Sequence, residues 1–156
     1  MSTFRAGAAR RCITPSLGCH MAGYFHDRIA RDIHDDLYAR ALVLENGEMS
    51  LALVVCDLIA LPQGDTEAAK AHAAQLTGIP REHIFISCTH THYGPATLGA
   101  LGTPRDEAYM AQLPAWIGES VRLAQVRLQP AQTGVASGAC TGESFNRRWH
   151  MTGGAV

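Results

Sequence analysis

The stretch His83-Ile-Phe-Ile-Ser-Cys-Thr-His-Thr-His-Tyr-Gly-Pro95 decides how this chain is read. Ile84 to Cys88 is an apolar run of strand length, and it stops at two histidines one residue apart. Gly94-Pro95 then turns the chain away. Upstream, Leu51 to Val55 is a second wholly apolar run, ending at Asp57. Between the two, Asp65 opens a helical segment that runs to about Thr77, where Gly78 and Pro80 close it. Strand, helix, strand with two fully apolar strands is a βαβ unit. The strands are therefore expected to pair in parallel, buried on both faces. Side chains alternate along a strand, so His90 and His92 are expected on one side of the backbone.

Asn46-Gly47 between the apolar runs Leu37–Glu45 and Glu48–Leu61 is a hairpin signal. Phe4 to Thr14 reads as a further strand, ended by Pro15. Thr14 to Asp36 is a long loop holding His20, His26 and His34. Its apolar and aromatic residues Met21, Tyr24 and Phe25 predict that it is ordered. A second helix is expected from Thr103 as its cap, with Met110, Leu113, Ile117, Val121, Ala124 and Leu128 as an apolar stripe. Pro114 should kink this helix and Pro130 end it. Gln132 to Cys140 reads as a small-residue strand. The fold class is α/β: a mixed β-sheet with a β-hairpin and a βαβ unit, flanked by helices, in a single domain over residues 1–156. Met151 to Val156 reads as a turn entering another strand, so the chain is expected to be the front part of something longer.

Composition excludes several classes. A net charge of −1 over 156 residues gives no basic surface for nucleic acid. No run approaches the roughly 20 apolar residues of a membrane span. The start of the chain, Met1 to Arg11, has no apolar core and is not a secretory signal. Five scattered cysteines without a Cys-x-x-Cys pattern indicate reduced thiols and a cytoplasmic protein. Cys56 and Cys88, inside strands, are expected to be small buried hydrophobes.

Eight histidines, five of them in two loops, point instead to a polar site. Two neighbouring imidazoles can grip one metal ion, or one can grip it while the other meets a substrate. A hydrolytic zinc needs three protein ligands and an open position for water, and this pair supplies one or two. Asp57 is a candidate for a further ligand or for an acceptor that orients an imidazole. His34-Asp35-Asp36 is a weaker metal candidate. Arg147 and Arg148, after Asn146, are suited to holding a substrate oxygen.

The order of several motifs carries a resemblance. Ile13-Thr14-Pro15 with Gly18, Met21-Ala22-Gly23-Tyr24, Leu37 to Leu44, Thr89-His90-Thr91-His92-Tyr93-Gly94-Pro95 and Asn146-Arg147-Arg148 occur in succession. Together they resemble the N-terminal region of the neutral/alkaline non-lysosomal ceramidase family, across essentially the whole chain. That family implies a zinc-dependent amidohydrolase of lipid metabolism, splitting ceramide into sphingosine and a fatty acid. The resemblance implies His90 as a zinc ligand and His92 as the substrate-side group that positions or protonates it. It implies Gly23 and Tyr24 beside the substrate, with Asn146 and Arg147 as a further substrate-binding and catalytic step. The family's other ligands, a histidine, a glutamate and a tyrosine, come from later in a longer chain. The expected partner is thus a small-molecule or lipid-like N-acyl substrate, with self-association or a missing C-terminal portion left open. Two further readings fit the same residues: another metal-dependent ester or amide hydrolase, or a non-catalytic subunit whose metal site a partner completes.

Overall fold

A computed structural model describes residues 4–144, 148 and 150–154. A five-stranded sheet runs in the order β4-β3-β2-β1-β5. Its strands are β1 (Arg5–Cys12), β2 (Tyr38–Glu45), β3 (Ser50–Cys56), β4 (Ile84–Cys88) and β5 (Gln129–Pro130). The helices are α1 (Gln63–Thr77), α2 (Glu107–Met110) and α3 (Leu113–Gln125). β2 and β3 form the expected hairpin, and the Asn46 side chain accepts hydrogen bonds from the Glu48 and Met49 amides across its turn. The expected βαβ unit is β3-α1-β4, with β4 parallel to β3 in the register Ala52↔Ile84 to Cys56↔Cys88. Gly78, in the left-handed region at φ 73°, closes α1 by donating its N–H to Ala74 O.

The helices cover one face of the sheet. Ala9, Ala39, Ala41, Val43, Ala52, Val54 and Cys56 meet Leu113, Ile117, Val121 and Ala124 of α3 and Ala69 and Ala73 of α1. Small residues set the spacing. A Cβ on Gly7 would lie 2.2 Å from the Ala124 carbonyl oxygen, so α3 sits directly on β1. Gly118 plays the same part between the helices, where an added Cβ would come within 3.1 Å of the Ala73 nitrogen. Tyr109 is buried beside Trp116, and its hydroxyl donates to Ile13 O at 2.8 Å, anchoring the start of the long loop.

The other face is open, which corrects the expectation that β3 and β4 are buried on both sides. Ala8, Leu42, Leu53 and Phe85 line up across four strands on it. Phe85 is 60% exposed, Val55 41% and Leu51 36%. A fully apolar strand shows that both faces suit burial; it does not show that both are covered within the same chain.

Four more expectations change. The cap of the second helical segment is Asp106, whose carboxylate accepts from the Tyr109 N–H, and not Thr103. That segment is one turn, α2, followed by a break. Pro114 therefore does not kink a helix; it sits in the first turn of α3, where its missing N–H leaves no bond unmade. Gln132 to Cys140 forms no strand. Its Gly, Ala and Ser side chains have too little apolar area to offset ordering the backbone. Asp65 lies in the first turn of α1 and not at its cap. Its carboxylate takes a bidentate pair from Arg105 at 2.7 and 2.8 Å, and Arg105 also donates to Thr97 O. This ties the segment after the histidine loop to α1.

Two stability measurements follow. Gly7→Ala forces a methyl group into a backbone carbonyl and should cost about 1–3 kcal/mol, read as a lower urea midpoint at unchanged slope. The Arg105 hydrogen bonds hold the Asp65 carboxyl below its ordinary range. A folded value below the unfolded one stabilises at and above about pH 5 and is lost as pH falls through the folded value. Asp65→Asn should therefore lose less stability than the wild type between about pH 5 and pH 3, in urea titrations at both pH values.

Candidate active site

The parallel pairing brings the ends of β3 and β4 side by side, and the loops that leave them stay together. Thr89 N–H donates to Cys56 O at 3.0 Å and His90 N–H to Leu58 O at 3.0 Å. The Thr97 hydroxyl donates to Ala60 O at 2.6 Å. His90 adopts φ 63°, a left-handed conformation that L residues with a β-carbon avoid. Its Nδ1 lies 2.8 Å from Ile59 O, which places the ring proton on Nδ1 and leaves the Nε2 lone pair outward. Metal-binding imidazoles are commonly oriented by such a bond from the other ring nitrogen.

The His90 and His92 rings are neighbours, with centroids 5.1 Å apart and planes at 67°. The reason differs from the expected one. β4 ends at Cys88, so strand alternation does not reach the pair; the left-handed turn at His90 sets their approach.

The long loop reaches over His92. Residues 18–30 form a short ladder, with Gly18 N–H donating to Ala30 O, Ala30 N–H to Cys19 O and Met21 N–H to Arg28 O. His20 Nδ1 meets both Asp27 oxygens at 2.8 and 2.9 Å, closing this ladder from the side. The ladder joins the histidine loop through Ala96 N–H to His20 O and a bridge between Met21 and Pro95. Gly23 has φ 108°, and a Cβ there would sit 2.6 Å from Cγ of His92. Tyr24 stands edge-on to His92 at 6.3 Å, and its hydroxyl lies 3.4 Å from that of Tyr93. The bond to Tyr93 raises the Tyr24 phenol above its ordinary value.

The predicted residues His90, His92, Gly23 and Tyr24 thus come together. Asp57 does not join them: its carboxylate takes the Tyr38 N–H at 2.9 Å and the Arg40 guanidinium, tying the end of β3 to the start of β2. His34 pairs with Asp35 at 3.6 Å, 98% exposed. Asn146 and Arg147 lie outside the described residues. Among the described residues no group of three His, Cys, Asp or Glu side chains is placed to hold a metal. Burial raises the Cys19 and Cys88 thiols and pushes Cys56 up to about 12, so burial works against thiolate formation at all three. A cleft of about 390 Å³ borders the histidine loop, walled by Met21, Ile33, Leu37, Thr91 and Tyr93 and also by Asp32, His34 and Asp35. Sequence reasoning missed Arg28, which donates to both Ala22 O and His92 O. The sequence held no signal for it, because the two tyrosines it stacks on, Tyr24 and Tyr93, meet only in the fold.

A mixed α/β sheet whose parallel strands end on a histidine loop is an enzyme-like arrangement, since α/β sheets place sites at the carboxyl ends of such strands. The comparisons narrow this. No family model matches the chain. It is 32% identical over 142 residues to the neutral ceramidase of Mycobacterium tuberculosis, covering 83% of this chain and 22% of that protein. The crystal structure of neutral ceramidase from Pseudomonas aeruginosa matches with TM-score 0.73 at 27% identity, over 83% of this chain and 22% of that chain. A ceramidase complexed with C2 matches with TM-score 0.67 at 26% identity, over the same shares. The resemblance to the neutral ceramidase family drawn from the motifs therefore holds in sequence and in three dimensions. The chain spans about a fifth of the length of these relatives.

Gly23→Ala tests the loop contact. The methyl group would need a φ it disfavours and the space of the His92 ring, so it should shift the His92 ring resonances by NMR while those of His72, packed against Gly118, stay in place.

Proposed function

We propose that this chain carries the histidine portion of a ceramidase-like zinc amidohydrolase, acting on the amide bond of a lipid-like N-acyl substrate. The observation that carries the reading is His90: a strained backbone, Nδ1 committed to Ile59 O, Nε2 free, and a second imidazole beside it. The likeness to neutral ceramidases supports the reaction class.

The donor set fits zinc in part. His90 Nε2 supplies one nitrogen, and the remaining ligands belong to the rest of a longer catalytic domain. Two observations support that longer domain: the relatives' greater length, and the open apolar sheet face. When bound, the ion supplies carbonyl polarisation and acidified water. His92, beside the reacting carbonyl, holds or delivers a proton to the leaving amine. Gly23 and Tyr24 shape the wall against His92. Asn146 and Arg147 bind and stabilise substrate oxygens in this reading. The apolar wall of the cleft flanked by Thr91 and Tyr93 suits the substrate's hydrocarbon part. No helix among the described residues is long and apolar enough to cross a membrane. The free thiols of Cys12, Cys19, Cys56, Cys88 and Cys140 support a reducing, cytoplasmic location.

The test is hydrolysis of a fluorogenic N-acyl amide by the complete polypeptide with zinc. His92→Ala should lower kcat about 10²–10⁴-fold. His90→Ala should lose both activity and bound zinc, whereas His34→Ala should keep both. Full activity with zinc retained in His90→Ala would sink the assignment.

A further inference from the structure

We propose that Arg28 is a positioning residue for His92, fixing the peptide that carries this imidazole. The inference rests on the reading of His92 as the substrate-side group. One terminal nitrogen of Arg28 donates to Ala22 O at 3.1 Å and to His92 O at 2.5 Å, so a single group stitches the long loop to the histidine loop. Its guanidinium lies 3.8 Å from the centroid of the Tyr24 ring and 5.3 Å from that of Tyr93. The same two tyrosines flank His92, Tyr24 through an edge contact and Tyr93 through the chain. Gly23 and Tyr24 fix the ring from one side and Arg28 fixes its carbonyl from below.

Among the described residues no carboxylate pairs with this cation. Asp27, the adjacent acid, is taken by His20. Arg28 Nε is buried without a hydrogen-bond partner. Among the described residues the guanidinium is held by carbonyl dipoles and aromatic faces, which is a use of its planar shape and not of charge neutralisation. A carboxylate in its place would pull the guanidinium off the His92 carbonyl. A lysine reaches the carbonyls but cannot stack flat on Tyr24, so a shape role predicts that lysine does not rescue.

The experiment uses the full chain labelled with ¹³C and ¹⁵N. In the wild type, His92 should give one sharp ring Cε1–Hε1 signal with a nuclear Overhauser contact to the Tyr24 ring. Arg28→Ala and Arg28→Lys should both broaden or shift that signal and lose the contact, while His72, packed against Gly118, keeps its signal. Tyr24→Leu, which removes the stacking surface, should broaden the His92 signal likewise. Should Arg28→Ala not fold, Arg28→Lys and Tyr24→Leu carry the test. An unchanged His92 signal and contact in folded Arg28→Lys or Arg28→Ala would overturn the proposal. In the amide hydrolysis assay, Arg28→Lys should lower kcat about a hundredfold with KM little changed, as for a misplaced catalytic group. A rise in KM with kcat unchanged would also count against it. If the wild type hydrolyses no amide, the proposed function fails while the NMR result still decides Arg28.

Discussion

Everything at the candidate site depends on the in-register parallel pairing of β3 and β4. Cys56 opposite Cys88 means that the two strands end level with each other. The segment after β3 then runs alongside the segment after β4. Its carbonyls become a rack: Cys56 and Leu58 take the Thr89 and His90 amides, Ile59 takes the His90 ring, and Ala60 takes the Thr97 hydroxyl. A slip of one residue would turn every side chain of β4 to the other face and take His90 off this rack. The core sets the register by burying Ile84 of β4 and Val54 and Cys56 of β3 on the helix side.

The rack also explains how a strained residue persists. A left-handed conformation costs an L residue roughly 1–2 kcal/mol. Each hydrogen bond of His90, one from its amide and one from its ring, contributes roughly 1 kcal/mol net. The two bonds together offset the strain, and neither alone does so with margin. Strain of this kind gathers where surrounding contacts over-determine the backbone. Here it aims one imidazole nitrogen outward and brings the second imidazole against it.

The sequence carried the parts of the fold whose signals are local. Asn46-Gly47 marked the hairpin, Gly78 marked the end of α1, and the stripe from Met110 to Ala124 marked the buried side of α2 and α3. It misled where two local signals competed. Thr103 and Asp106 are both capping residues, and only the backbone geometry chose Asp106. Pro114 reads as a kink inside a long helix and as a start signal after a break; the break at Ala111-Gln112 leaves no mark of its own. Coverage of the sheet is not local at all, so Leu51 to Val55 could not show that one of its faces stays bare. At the site, His90, His92, Gly23 and Tyr24 were legible through motif order. Arg28 was not, because its partners are carbonyls, which have no letter in the sequence. Asp57 looked like a ligand by position and is spent on Tyr38 and Arg40.

The open face bears on the site because both use the same strand ends. Arg10, Arg40, Val55 and Ser87 form the last row of that face, next to Cys56 and Asp57 where the histidine rack begins. An apolar sheet face of this kind is stable in water only at a cost of roughly 25 cal/mol for each Å² left bare. A layer packed on it would bury Leu42, Leu53 and Phe85 and would end beside His90. In the reading proposed above, the further ligands and the layer over this face would both come from the rest of a longer catalytic domain. The described residues do their part without that layer: they fix one imidazole in place through a strained turn and a rack of carbonyls.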